Sequence, residues 1–347
     1  MTLKGYPMFG NIYGLDLGTY EVKVYDKKQD AIWKEKNTIA IRNKKEIFSV
    51  GDAAYEMYEK APYNIEIVFP MKEGVISRFY DMQYLLENLL KKERPFIRGA
   101  KYVIAVPTDV TEVEKKAFYD LVNHSSARAK EVRIVEKCIA DAIGLGLPIQ
   151  TSPGIFIANL GGETTELSVM ASGGVVLNRI IKMGGNMLDQ SIVNHIRYTM
   201  DFLTGRLTGE LLRKHFGICD EKGYSTLKVS GRNLISGIPE LKEIPVNIVR
   251  TAMKESLENC VKEIKVLLER TPPEVLRSIQ RSGIYLTGGL ANLTGLSHYI
   301  EGYIGLNVNT IPEPELCTIK GLKQIIQSKE LKQLTYSMLD ENYGWMK

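Results

Sequence analysis

Ile155-Phe156-Ile157-Ala158-Asn159-Leu160-Gly161-Gly162-Glu163-Thr164-Thr165-Glu166 is the stretch whose reading decides the fold. Its apolar run predicts a buried strand, the Gly-Gly pair a turn, and Glu166-Leu167-Ser168-Val169-Met170 a second strand leading away. Such a strand–turn–strand aims several backbone N–H groups into one small concavity, which suits an anionic phosphate. A second copy stands near the N-terminus as Tyr13-Gly14-Leu15-Asp16-Leu17-Gly18-Thr19, followed by Glu21-Val22-Lys23-Val24-Tyr25. A single glycine turn between strands is commonplace. Two phosphate-type hairpins about one domain apart imply a duplicated architecture with one nucleotide gripped between two lobes.

The 347 residues are enough for two domains with substantial cores. With 44% hydrophobic and 25% charged residues the composition is that of a soluble globular protein. A net charge of +4 is too small at this length to make a case for nucleic acid. Cys138, Cys219, Cys260 and Cys317 form no CxxC pair and no secretory leader is read, so reduced thiols in the cytoplasm are expected. The four histidines are equally scattered, and no apolar run is long enough for a membrane span.

Along the first hairpin, Asp16 is placed to hold a hydrated Mg²⁺ or to orient its waters, since that ion keeps waters and prefers carboxylate help. Thr19 offers a hydroxyl and an N–H to phosphate, and Lys23, on the same strand face as Glu21, adds positive charge. Residues 12–50 alternate as antiparallel strands do. A helix is expected over Tyr80–Lys91 with Met82, Leu85, Leu86, Leu89 and Leu90 on one face. Basic residues Lys91, Lys92, Arg94, Arg98 and Lys101 flank Pro95-Phe96-Ile97, a pattern that reads either as an interfacial membrane anchor or as a loop whose Phe96 tucks into the core. Strands over Tyr102–Val106 and Val132–Val135 alternate with helices over Thr111–Asn123 and Glu136–Gly144. Val246–Glu269 reads as a long amphipathic helix ended by Thr271-Pro272-Pro273, and Ile284–Gly289 as a strand running into a glycine turn and a helix whose N–H groups suit phosphate or adenosine. Residues 328–347 read as a polar helical or disordered tail.

The run of GLDLGT, FPMKEGVI, VIAVPTDVTEVEKKAF, IVEKCIADAIGLGLP, NLGGETTELSV, MGGNMLD, ERTPPEVL and YLTGGLANLTGL, in unbroken order over residues 12–327, resembles the MreB family of bacterial actins. The resemblance implies an α/β, actin-like fold of two lobes, each a duplicated ribonuclease-H-like domain with a smaller subdomain. Subdomain IA would comprise residues 1–31, 73–149 and 317–347, IB 32–72, IIA 150–183 with 246–316, and IIB 184–245. It further implies ATP with Mg²⁺, self-assembly into filaments, a peripheral place on the inner face of the cell membrane, and wall-synthesis proteins or a second MreB as partners. By the same resemblance Phe96 and Ile97 match a membrane-inserting pair. Gly18, Gly161, Gly162, Glu163, Thr164, Gly184, Gly185, Gly288 and Gly289 line the nucleotide, Glu210 and Arg213 the adenosine pocket, and Glu136, Lys137 and Thr165 the hydrolytic position.

Departures from the family pattern fall on the chemistry. Asn159 stands where the family has an aspartate, Glu163 where it has a glycine, Asn186 where it has an acid, and Lys137 where it has the acid that orients the attacking water. A carboxylate beside the γ-phosphate costs about 4 kcal/mol per like-charge pair at ~4 Å and an effective dielectric near 20, roughly three decades of affinity if uncompensated. Changes of opposite sign at Lys137 and Glu163 suggest an ion pair between them. The expectation is therefore an MreB-like scaffold that binds ATP with weak or lost hydrolysis. A non-polymerising regulator of an intact MreB and an actin-fold small-molecule kinase are the alternatives; a kinase would need a substrate-binding insertion, and none is evident.

Overall fold

The computed structural model describes residues 10–93, 99–124, 129–218 and 225–339. Two units are distinguished, Met1–Ala140 with Thr318–Lys347, and Asp141–Cys317. Tyr13 to Leu17 are all buried, so Ile12–Leu17 reads as the centre of a sheet rather than an edge. Its antiparallel neighbour Glu21–Asp26 follows after a tight turn, and Ala31–Lys36 extends the meander. On the other side Lys101–Val106 pairs parallel to it, and Glu131–Glu136 parallel to that. Parallel neighbours need a crossover, and the helices Phe79–Glu93 and Glu112–Asn123 lie in these two connections.

The second unit repeats this order. Ile155–Leu160 is buried throughout and is flanked by the antiparallel meander Thr165–Ala171 and Gly174–Ile181. Parallel to it on the other side runs Ile284–Thr287, with Val308–Asn309 parallel beyond. In both units, therefore, the central strand enters a glycine turn at its C-terminal end. A short three-stranded sheet accompanies each: Ile39–Arg42 with Glu46–Val50 and Ile65–Val68 in the first, and Phe202–Leu203 with Thr226–Asn233 and Pro239–Pro245 in the second.

Helix positions follow from apolar spacing and end signals. Met82, Leu85, Leu86, Leu89 and Leu90 are buried on the helix Phe79–Glu93, as the i, i+3, i+4 pattern requires. Thr111 caps Glu112–Asn123 through a capping box: its hydroxyl accepts the Glu114 N–H at 3.3 Å, and its own N–H donates to the Glu114 carboxylate at 2.7 Å. The long helix Val246–Arg270 buries Val249, Met253, Leu257, Cys260, Ile264 and Leu268. Burial pushes the Cys260 thiol up to about 12, so it behaves as a small apolar core residue. Thr271-Pro272 ends that helix, and Pro273 then occupies the first position of another, Pro273–Ser282, where its missing N–H has no partner to lose. The sequence predicts the stop there, and the new helix start is an addition to that expectation.

The segment after residue 328 departs from the expected polar tail. Leu331–Leu334 forms a 3₁₀ turn, and Tyr336 then exchanges both backbone hydrogen bonds with Ile134, at 2.7 and 3.0 Å, on the outer edge of the first sheet. Arg133 donates to the Thr335 hydroxyl at 2.5 Å and to its carbonyl. An otherwise open sheet edge is thereby closed, and the Tyr336 ring joins the core of that unit at 8% exposure. Trp345, Cys219, and the Phe96-Ile97 tip with its neighbours Arg94, Pro95 and Arg98 lie outside the described residues.

Replacing Tyr336 with Ala is expected to lower unfolding free energy by about 3 kcal/mol, the usual cost of removing a buried aromatic ring. Tyr336→Phe, which removes the hydroxyl that contacts Glu136 at 3.5 Å and keeps the ring, is expected to cost less than about 1 kcal/mol. Denaturant midpoints of the two variants, measured side by side, check this.

Candidate functional site

In the first hairpin, Asp16 and Lys23 are directly opposed across the strand pair, and Lys137 is the first residue of the helix Lys137–Gly144. These positions converge. Lys137 Nζ lies 3.3 Å from Asp16 Oδ1, and Lys23 Nζ 3.5 Å from Asp16 Oδ2. Asp16 is 3% exposed, and burial alone would raise its carboxyl; Lys137 and then Lys23 outweigh that and hold it below the usual carboxylate range. A depressed carboxyl contributes stability that is complete above its unfolded-state value of 3.8 and is lost as pH falls through the folded one. Asp16 is therefore a component of acid denaturation.

The turn itself is fixed by backbone. Gly18 N–H donates to the Glu21 carbonyl at 3.1 Å, the Asn37 side-chain amide donates to the Gly18 carbonyl at 2.8 Å, and a Cβ on Gly18 would come within 2.8 Å of the Glu21 oxygen. Thr19 is buried in this turn. Lys36 is spoken for by Glu21, with its ammonium 4.0 Å from the Tyr20 ring centre.

The second hairpin is tied to the helix Gly185–Met200. Gly161 N–H donates to the Thr164 carbonyl at 2.8 Å, closing the turn. The carbonyls of Gly161 and Gly162 accept the helix's first N–H groups, from Gly185 at 3.1 Å and Asn186 at 2.8 Å. Because a trans peptide points its C=O and N–H in opposite directions, the N–H groups of Gly162 and Glu163 face away from that helix as an adjacent pair, the arrangement that receives an anion. Gly184 permits this approach: a Cβ there would lie 2.5 Å from the Gly162 carbonyl carbon and 2.6 Å from the Glu163 nitrogen. Gly288 is required twice over, by a φ of +84° and by Asn159 Oδ1, which a Cβ would approach to 2.7 Å. Gly289 then begins a 3₁₀ turn, Gly289–Asn292, and the helix expected directly after it starts only at Leu296.

Each unusual side chain has a partner within its own unit. Asn159 donates its amide to Asp141 Oδ2 at 2.6 Å, and Thr287, opposite Asn159 in the strand register, donates to the same oxygen at 3.2 Å. Asn186 donates to Glu163 Oε1 at 3.5 Å. Thr165 gives its hydroxyl to the Met183 carbonyl at 2.8 Å, which ties the second strand of the hairpin to the segment before Gly184. Glu136 receives the Tyr336 hydroxyl. Thr164 lies in the turn, half-buried.

Glu210 and Arg213, which the resemblance places on the adenosine pocket, are both buried and have different partners. Arg213 makes a two-point contact with Asp189, Nε to Oδ1 at 2.6 Å and Nη2 to Oδ2 at 3.3 Å, beneath Gly185. Burial pushes the Asp189 carboxyl up despite the guanidinium. Glu210 takes Lys214 at 2.6 Å. Sequence reasoning missed Asp141 and Asp189. Asp141 was findable, because a lone acid inside Cys138-Ile139-Ala140-Asp141-Ala142-Ile143 is destined for burial and must then be paired.

The residues fit phosphate better than metal. Among the described residues no group of three or more His, Cys, Asp or Glu side chains is placed to hold a metal ion. Asp16, the carboxylate expected to serve Mg²⁺, already has an ammonium on each oxygen. A magnesium ion held by the protein's own carboxylates does not fit this donor set.

Two sheets of one strand order, each with a glycine turn closing its central hairpin, define an actin-like α/β fold. The MreB/Mbl protein family matches residues 10–334. The cell shape-determining protein MreB of Escherichia coli K12 is 33% identical over 325 residues, 90% of this chain and 92% of that one. The crystal structure of MreB 5 of Spiroplasma citri bound to AMPPNP superposes with a TM-score of 0.89 at 30% identity, covering 94% of this chain and 98% of that one. A MamK double helical filament shares the fold at a TM-score of 0.77 and 19% identity, over 92% of this chain and 99% of that one. The chain belongs to the MreB/Mbl family.

Asn159→Asp would set two carboxylates where one amide now donates to Asp141. The expected result is a loss of about 2–4 kcal/mol of unfolding free energy near neutral pH. The two acids then share a proton, and a carboxyl whose folded-state value is raised stabilises only at low pH, so the deficit shrinks on acidification. Thermal melts of native and variant protein across pH 4 to 8, roughly the window of such a coupled pair, check both parts.

Proposed function

We propose that this chain is an actin-like filament protein of the cell-shape cytoskeleton that binds ATP and hydrolyses it slowly or not at all. Membership of the MreB/Mbl family over residues 10–334 supports the first part, together with the filament and nucleotide complexes described for its structural relatives. The observation that carries the second part is the Lys137–Asp16 ion pair. Where the family resemblance puts an acid to orient the attacking water, an ammonium stands, and an ammonium has three donors and no acceptor for a proton. Glu136, the preceding acid, is half-buried beside Tyr336.

Phosphate recognition is carried by backbone and by glycine. The N–H pair of Gly162 and Glu163, the Gly18-Thr19 turn, and the close approaches of Gly184 to the Gly162–Glu163 backbone and of Gly288 to the Leu160 carbonyl are independent of the substituted side chains. The Glu163 carboxylate, turned toward Asn186, is partly compensated by that amide. Assembly is accordingly expected to follow nucleotide occupancy rather than turnover. A peripheral position on the inner face of the cell membrane, with wall-synthesis proteins or a second MreB as partners, belongs to the same reading. Among the described residues no helix is long and apolar enough to cross a membrane.

Sedimentation and phosphate release on the purified chain test this. Pelleting in the presence of ATP with phosphate release at or near background is the expected result, and Lys137→Glu is expected to raise release about tenfold or more, a barrier change of some 1.4 kcal/mol. Release by the native chain equal to that of the variant would sink the assignment of Lys137. Failure to pellet with or without ATP would favour a non-polymerising regulator of another MreB.

A further inference from the structure

We propose that Lys137 supplies the cation of this site, so that the chain takes its nucleotide as the free polyphosphate and not as the magnesium complex. The inference rests on the nucleotide reading above and narrows it. Asp16 is enclosed, 3% exposed, and has one ammonium on each carboxylate oxygen, Lys137 at 3.3 Å and Lys23 at 3.5 Å. Two lysines and one aspartate leave a cluster of formal charge +1 beside the Gly18-Thr19 turn. A divalent cation entering there meets two ammoniums and a carboxylate already neutralised. A polyphosphate meets net positive charge.

Local sequence makes the placement of Lys137 deliberate. It occupies the first position of the helix Lys137–Gly144, where a positive side chain opposes the helix dipole and no acid of that turn offsets it. Asp16, on the central strand, holds its ammonium at 3.3 Å. In the second unit, position 159 is an amide: Asn159 donates to Asp141, and Thr287 donates to the same Asp141 oxygen. Mg²⁺ is bound in nucleotide sites by one or two carboxylates, waters and phosphate oxygens. In the first unit the carboxylate that would provide the protein's share is Asp16, already ion-paired on both oxygens.

Equilibrium titration of the full chain with a fluorescent ATP analogue, in excess magnesium and in excess EDTA, tests the proposal. The native chain is expected to bind in EDTA with a dissociation constant within about threefold of that in magnesium, less than the tenfold that 1.4 kcal/mol represents. Lys137→Glu is expected to lose affinity in EDTA by about tenfold or more and to recover it when magnesium is added. Lys137→Gln, with its melting temperature recorded, separates loss of charge from loss of fold; it is expected to weaken binding in EDTA while melting near the native value. Binding by the native chain only when magnesium is present overturns this inference and leaves the nucleotide reading standing. Absence of binding in both solutions overturns both.

Discussion

A carboxylate that ends up inside a protein must be given donors, and both units of this chain are arranged around that constraint. Leaving one buried charge unpartnered costs several kcal/mol, a large part of the net stability of a domain. Asp16 at the end of the first central strand is met by two ammoniums, Asp141 by an amide and a hydroxyl, and Asp189 by a guanidinium held at two points. The partners arrive from a neighbouring strand, the start of a helix, and a second helix. Their geometry therefore requires the sheets and helices to be in register before the charges can be satisfied.

Seen through these pairings, the replacements that looked like losses in the sequence become local exchanges. An aspartate at 159 would face Asp141 across 2.6 Å; the asparagine there donates instead. An acid at 186 would face Glu163; Asn186 again is the donor. Lys137, where the family resemblance puts an acid, is the partner of Asp16. In each case a residue that departs from the pattern the resemblance implies satisfies a neighbouring carboxylate inside its own unit. No net polar group is gained or stranded by the two asparagines. What changes is the charge that the site presents to a ligand.

Much of the architecture was legible because it rests on short-range patterns. The strands Ile12–Leu17 and Ile155–Leu160 announce themselves as apolar runs ending at glycine, and the helix Phe79–Glu93 by its five-residue leucine and methionine stripe. Legibility failed where a residue's role depends on something distant in sequence. Tyr336 looks like part of a polar tail until it meets Ile134, some two hundred positions earlier, at an open sheet edge. The helix Pro273–Ser282 was hidden because proline both stops one helix and starts the next. Glu210 and Arg213 sit at an i, i+3 spacing that suggests mutual pairing; Lys214, one helical turn on, takes the glutamate, and only the fold brings Asp189 to the arginine. Glycines were easier than acids. A glycine is demanded by backbone proximity that the turn itself encodes, whereas a carboxylate's role is decided by whichever donor the tertiary structure delivers.

That difference separates two properties of the site that are usually treated as one. Gly18, Gly184 and Gly288 stand where a single carbon would collide with backbone or side-chain atoms at 2.4 to 2.8 Å, so the shape of these glycine turns cannot drift without moving whole strands. The side chains at 137, 159, 163 and 186 are under no such restraint; each needs only a neighbour of complementary charge or hydrogen-bonding sense. Shape is held by close packing, which tolerates few alternatives. Electrostatics is held by pairwise partners, which can be exchanged together. A chain of this fold can therefore keep the geometry of its glycine turns while the charges and hydrogen-bonding senses around them are exchanged.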